Sequence, residues 1–253
     1  MKLNRRETIF LGAGAFAQTL AGMGAAQAAE GGTVDIGKLM APKGVADHVL
    51  GDANAPVTVI EYASPTCPHC AAFSNDVLPS LLSTYVDSGK IKYILRPFSR
   101  NVLDSAIFML AETAGPTNYH NVVSTYFKTQ NTWGMSDKPR DALFEVAKQL
   151  GFTQESFDAA LTNQELFNGM ESLRDQAINE FGLAGTPTFY INGKTVSGEK
   201  SLAELAAEID PLLPAGTAPA LPAGAATAPA ASATPGAVTP VTPAPSAPAS
   251  TAQ

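Results

Sequence analysis

The chain has 253 residues, with 23 acidic against 16 basic side chains and a formal net charge of −7. That acidic balance leaves no basic footprint for nucleic acid and disfavours adhesion to anionic lipid by charge alone. A zinc centre normally takes four ligands, whereas here two cysteines stand with three scattered histidines, His48, His69 and His120.

Residues 1–28 read as a targeting segment, in which Lys2, Arg5 and Arg6 precede a Gly/Ala-rich apolar stretch ending in the small-residue cleavage pattern Ala26-Gln27-Ala28. The adjacent Arg5-Arg6 is similar to a twin-arginine export signal, with Thr8 standing where that pattern has a bulky apolar residue. An ordinary secretory signal and an uncleaved anchor are the other readings. Gln18, Thr19 and the many glycines weaken the anchor. Either export route leads to an oxidising compartment, and loss of the leader makes the mature chain more acidic still. Residues 29–44 form a lead-in, and no element is assigned up to residue 50. His48 falls in the unassigned stretch and reads as a surface or edge histidine.

The first strand is Val57-Thr58-Val59-Ile60-Glu61-Tyr62, whose nearly continuous apolar character predicts a central strand covered on both faces. Glu61 interrupts it. A carboxylate there is either turned outward at the strand end or held beside buried chemistry.

After a brief turn comes Cys67-Pro68-His69-Cys70, which holds both cysteines. Phe73, Val77, Leu78, Leu81, Leu82 and Tyr85 then share one side of a helical pattern, so the tetrapeptide is a helix start. Pro68 suits the first helical position, where a missing N–H costs nothing. Cys67 near the N-cap meets unpaired N–H groups and the positive end of the helix dipole, both favouring thiolate over thiol. His69 adds a donor beside that sulfur. Cys70 lies one turn on, within reach of a disulfide. Stabilising the thiolate stabilises the dithiol relative to the disulfide, which makes the oxidised form a stronger acceptor of electrons. A purely structural disulfide in so small a ring removes little chain entropy.

Pro79 inside this helix predicts a kink. A second strand covers Ile91-Lys92-Tyr93-Ile94-Leu95-Arg96, and residues 101–181 are helical in pattern. Leu143, Val146, Ala147 and Leu150 mark one helix, and Phe167, Met170, Leu173, Ala177, Ile178 and Phe181 another, behind a cap at Asn163. These stripes read as core, without a cofactor box. Strand chemistry returns at Thr186-Pro187-Thr188-Phe189-Tyr190-Ile191, followed by the turn Asn192-Gly193, a strand at 194–198 and a helix at 201–209. The tail, 211–253, has no charged residue and holds 10 of the 19 prolines, which predicts disorder.

The run Gly51-Asp52-Ala53-Asn54-Ala55-Pro56-Val57, the strand, the Cys-Pro-His-Cys helix start and Gly185-Thr186-Pro187-Thr188-Phe189 together resemble the DsbA-like thiol-disulfide oxidoreductases of the thioredoxin superfamily. The resemblance covers roughly residues 45–210. It implies an α/β thioredoxin-like fold at 45–100 and 181–210 with a helical insertion at 101–180, which roofs the dithiol and helps form a substrate groove. It also implies a cis bond at Pro187, a substrate-facing backbone at Thr186, and Glu61 as an acid beneath the resolving Cys70. The activity implied is that of an exported, cofactor-free enzyme whose Cys67-Cys70 disulfide oxidises cysteine-containing proteins, itself reoxidised by a DsbB-type membrane partner. A reductase or isomerase of the same fold is the alternative, and a metal-binding or chaperone-like module is the alternative of another class. Trp133 and Tyr119 read as packing residues or as lining of the groove.

Overall fold

The structure, a computed structural model, describes residues 30–219. The expected leader, and the expected tail from residue 220 on, lie outside the described residues.

Strand β1 (Val49–Leu50) and strand β2 (Val57–Ala63) precede the Cys-Pro-His-Cys helix; β3 (Ile91–Pro97) follows it. Much later in the chain come β4 (Thr188–Ile191) and β5 (Lys194–Ser197). Together they form a five-stranded sheet in the order β1-β3-β2-β4-β5. β2 pairs in parallel with β3, and every other pairing is antiparallel. The central strand is therefore β2, and all of it but Thr58 is buried, which is why its sequence runs apolar on both faces.

Alternation along β2 divides the sheet into two surfaces. Glu61 and its cross-strand neighbour Phe189 face the helix that begins at Cys67, where Phe73 meets Phe189 edge-on at 4.7 Å between centroids. Tyr62 and Tyr190 lie on the opposite surface, with Phe181 against Tyr190.

The Cys-Pro-His-Cys helix is α2 (Pro68–Ala72), a π-helical turn at Phe73–Val77, α3 (Leu78–Leu81) and a second π-turn at Leu82–Val86. Where the sequence predicts a kink at Pro79, the helix is interrupted by π-helical turns on either side of α3. The widened turn delivers Pro79 into the first turn of α3, where its missing N–H breaks no regular helical bond.

Between β3 and β4 run α4 (Val102–Thr113), α5 (Tyr119–Lys128), α6 (Gln130–Trp133), α7 (Pro139–Gln149), α8 (Gln154–Leu161) and α9 (Gln164–Phe181). Asn163 caps α9 through its side chain, and Gly182 ends it in the left-handed conformation. Trp133 and Tyr119 are fully buried. The indole N–H of Trp133 donates to Tyr126 O at 2.9 Å, so both are packing residues rather than groove lining.

Asn192 (φ 45) and Gly193 (φ 88) make the tight turn that the sequence signalled between β4 and β5. β4 itself starts at Thr188, not Thr186, because residues 185–187 form a loop whose Pro187 has no N–H to give a ladder. Helix α10 (Leu202–Ile209) follows, capped by Ser201 and Glu204 acting reciprocally. A 3₁₀ turn at Asp210–Leu212 and the buried Leu213 carry ordered chain a few residues beyond the point where the tail was expected to begin.

The lead-in also has structure. Helix α1 (Ile36–Leu39) lies in it, and residues 31–34 add to the free edge of β5 through Gly31 N–H to Thr195 O, Thr195 N–H to Gly32 O and Val34 N–H to Gly193 O. Gln176 on α9 holds the next stretch, accepting from Lys43 N–H and donating to Ala41 O. Gly44 (φ +86) packs backbone to backbone on Gly169, so closely that a Cβ would lie 2.2 Å from Gly169 O.

Candidate active site

Cys67 is the N-cap of α2, in extended conformation, and Pro68 is its first residue. The Cys67 N–H closes a turn on Ser64 O at 2.9 Å. Both thiols are free and buried, Cys67 3% exposed and Cys70 not at all. The Thr186–Pro187 bond is cis, and Thr186 turns its carbonyl toward the dithiol, 3.3 Å from Cys67 Sγ.

The two sulfurs are held in opposite states. Cys67 is lowered to about 5 from an ordinary 9.0, chiefly by the hydrogen bond from the Cys70 thiol, with help from the Cys70 backbone N–H, the Thr186 side chain and the charge of Arg100, and against the opposition of burial. Cys70 is pushed well above the usual thiol range by burial and by the neighbouring Cys67 sulfur. Cys67 is thus the thiolate and Cys70 the thiol that donates to it.

Glu61 is buried, 1% exposed, rather than turned outward. It accepts the Tyr93 hydroxyl at Oε2, while Oε1 has no hydrogen-bond partner among the described residues. Burial pushes its carboxyl up to about 8; the Tyr93 bond acts in the other direction and the Cys67 charge adds to the rise. At neutral pH the group is mostly a protonated acid, able to donate.

Nδ1 of His69, the residue expected to add a donor beside the Cys67 sulfur, lies 2.8 Å from Glu199 Oε2 in the loop between β5 and α10, while Cys70, Thr186 and Arg100 are the groups that lower Cys67 most. Helix periodicity fixes the residue's place on α2 but not the rotamer, which a residue 130 positions away selects. His48, expected as a surface or edge histidine, directly precedes the edge strand β1 with its side chain largely covered. Its ring stacks on Tyr119 at 4.1 Å, its Nε2 meets Glu112 Oε2 at 3.0 Å, and its carbonyl accepts from His120 Nε2 at 3.0 Å.

The sequence reading missed Tyr93, Arg100, Asp104, Gln130 and Glu199. The spacing Asn101-x-x-Asp104 is a helix-start signature, and Asn101 does cap α4, but its Asp104 is wholly buried and serves the turn before Cys67 instead. Among the described residues no group of three or more His, Cys, Asp or Glu is arranged to hold a metal ion. No described helix is long and apolar enough to cross a membrane.

A parallel β2–helix–β3 unit flanked by an antiparallel hairpin, with a dithiol at the helix start facing a cis-proline loop, defines the thioredoxin fold. The profile of the family described as Thioredoxin matches residues 43–211, more than half of the chain, and the chain belongs to that family. Within it the protein is DsbA-like. A Rickettsia felis protein named as a protein-disulfide oxidoreductase is 32% identical over 173 residues, covering 66% of this chain and 60% of its own length. The chain thus spans about three fifths of the curated relative it matches. Among solved structures, alpha-DsbA1 of Wolbachia pipientis is 28% identical with a TM-score of 0.62, covering 66% of this chain and 90% of that one. Oxidised BdbD of Bacillus subtilis, 21% identical with a TM-score of 0.60 over 73% of this chain and 97% of its own, shares the fold.

Proposed function

We propose that the protein is an exported thiol-disulfide oxidoreductase that donates its Cys67-Cys70 disulfide to cysteine-containing substrate proteins. The observation that carries this reading is the opposed state of the two sulfurs, Cys67 lowered to about 5 and Cys70 raised, at a helix start facing the cis-proline loop. A dithiol in which one sulfur is so readily a thiolate gains stability in the reduced form, and its disulfide is correspondingly oxidising.

In the first step a substrate thiolate attacks Sγ of Cys67 in the disulfide, forming a mixed disulfide and releasing Cys70 as a thiolate. Glu61, protonated at neutral pH, returns a proton to Cys70 and is then reprotonated from solvent. In the second step another substrate thiolate attacks the substrate sulfur of the mixed disulfide. Cys67 leaves, and its low pKa makes it a good leaving group. The substrate has lost two electrons to the protein, which is left as the dithiol. Thr186, whose carbonyl already faces Cys67, offers its backbone to the extended substrate as an adjoining strand would. His69 and Pro68 shape the helix start. Export by a cleaved leader at residues 1–28 places this chemistry in an oxidising compartment, and a DsbB-type membrane oxidase restores the disulfide.

The deciding experiment is the reduction potential of the Cys67-Cys70 pair in glutathione buffers of known poise. A value clearly above the thioredoxin level of about −270 mV supports a disulfide donor. A thioredoxin-like value overturns that direction and makes the protein a reductase.

A further inference from the structure

The turn that carries the nucleophile is gripped by side chains from the inserted helices. Asp104, on the first turn of α4 and wholly buried, accepts from Thr66 N–H at 2.7 Å, from Ser64 Oγ at 2.8 Å and from Arg100 N–H at 2.9 Å. Gln130, the first residue of α6, donates Nε2 to Pro65 O at 2.6 Å and to Cys67 O at 3.0 Å. Arg100 lies along the same turn, its Nε on Ser64 Oγ at 3.0 Å and its Nη2 on Thr66 Oγ1 at 3.2 Å. We propose that Asp104 and Gln130 are positioning residues for disulfide exchange, which from two separate helices lock the Ser64–Cys67 turn and hold the Arg100 guanidinium beside the Cys67 sulfur.

The physical case rests on cost and direction. A wholly buried carboxylate is expensive unless its lone pairs are satisfied, and those of Asp104 are spent on this one turn and the residue that carries the cation. Capping α4 does not require it, since Asn101 already accepts from Leu103 and Asp104 N–H. Gln130 acts on carbonyls of the same turn, so donors and acceptors are fixed from both sides. With the turn free to shift, the Cys67 sulfur loses its fixed relation to the Cys70 N–H and to Arg100, two groups that favour its thiolate.

This inference rests on the proposed exchange at Cys67, and the test separates the two. Full-length reduced protein is titrated by thiolate absorbance near 240 nm, and its reduction potential is measured, for wild type, Asp104→Asn and Gln130→Met. Removing a negative charge by itself lowers the pKa of Cys67, whereas releasing the turn raises it. Gln130→Met keeps side-chain length and charge while deleting both donors. The expected result is a rise of about one pH unit in both variants, roughly a tenfold smaller thiolate-to-thiol ratio at a given pH, with a less oxidising potential. Unchanged or lowered Cys67 titration in both overturns the positioning role even if their melting temperatures fall. Should Asp104→Asn fail to fold, Gln130→Met decides alone. A wild type that oxidises no dithiol overturns the exchange reading instead.

Discussion

The hydroxyl of Tyr93 donates to Glu61 across two adjacent parallel strands whose register sets Tyr93 opposite Val59 and Glu61 opposite Leu95. This diagonal contact is the one hydrogen bond the buried carboxyl receives among the described residues, and it leaves Oε1 unpaired beneath the dithiol. A carboxyl satisfied on one side only, and held in the core, keeps its proton.

Glu61 should therefore make stability depend on pH with a definite sign. The unfolded chain releases this proton near 4.5 and the folded chain near 8, so between those values the folded state binds more protons and stability falls as pH rises. Glu61→Gln should remove that decline, which at its steepest is about 1.4 kcal/mol per pH unit. Urea midpoints of both proteins in the disulfide form, which lacks the Cys67 thiolate, measure it across pH 5 to 8. The same variant should slow exchange roughly tenfold or more while far-UV circular dichroism stays unchanged. An equal pH slope in both proteins would falsify the assignment of the raised carboxyl to Glu61.

Cys67 contributes in the opposite direction. Its pKa is depressed from 9.0 to about 5 on folding, so the stabilisation is complete above 9 and is lost as pH falls through 5. The disulfide form has no thiolate. The stability difference between the reduced and oxidised proteins should move in favour of the reduced form as pH rises from 5 to 9. Cys70→Ala deletes the largest stabiliser of that thiolate and should shift the midpoint of the iodoacetamide reaction upward. A midpoint that stays near 5 in Cys70→Ala would remove the thiol–thiolate bond as the leading cause.

Trp133 tests the core of the helical region. Trp133→Ala should cost about 3–5 kcal/mol through cavity formation, and Trp133→Phe about 1–3 kcal/mol, because the carbonyl of Tyr126 loses its indole donor. Circular dichroism must follow the unfolding, since this is the only tryptophan in the chain.

Arg96 is a buried cation, 1% exposed, held by both oxygens of Asp47 at 2.7 Å and by the Tyr62 hydroxyl at 3.0 Å. Asp47→Ala strands that charge and should cost about 3 kcal/mol or more. Arg96→Met combined with Asp47→Ala should recover most of the loss. A double variant as unstable as the single one would show that Asp47 acts through the backbone before β1 and not through the ion pair.

By itself the sequence determined the elements whose signals are local. The apolar run of β2, the Cys67 N-cap with Pro68 at the first helical position, the Asn192-Gly193 turn and the Asn163 cap all depend on neighbours within a few residues, and the structure has each where the sequence indicated. Family motifs extended this to the cis bond before Pro187. Only the tertiary structure decided what depends on partners far along the chain. It turned His69 toward Glu199, brought Asp104 and Gln130 onto the turn before Cys67, and fastened the lead-in to β5 and α9. Glu61 shows where the division falls. Its place on a central strand was legible, but whether its carboxyl met solvent or the dithiol was set by burial and by Tyr93 on the neighbouring strand. A hydrogen bond between residues more than thirty positions apart leaves no periodicity in either segment, because it depends on the register of β2 against β3 and on nothing within each strand alone.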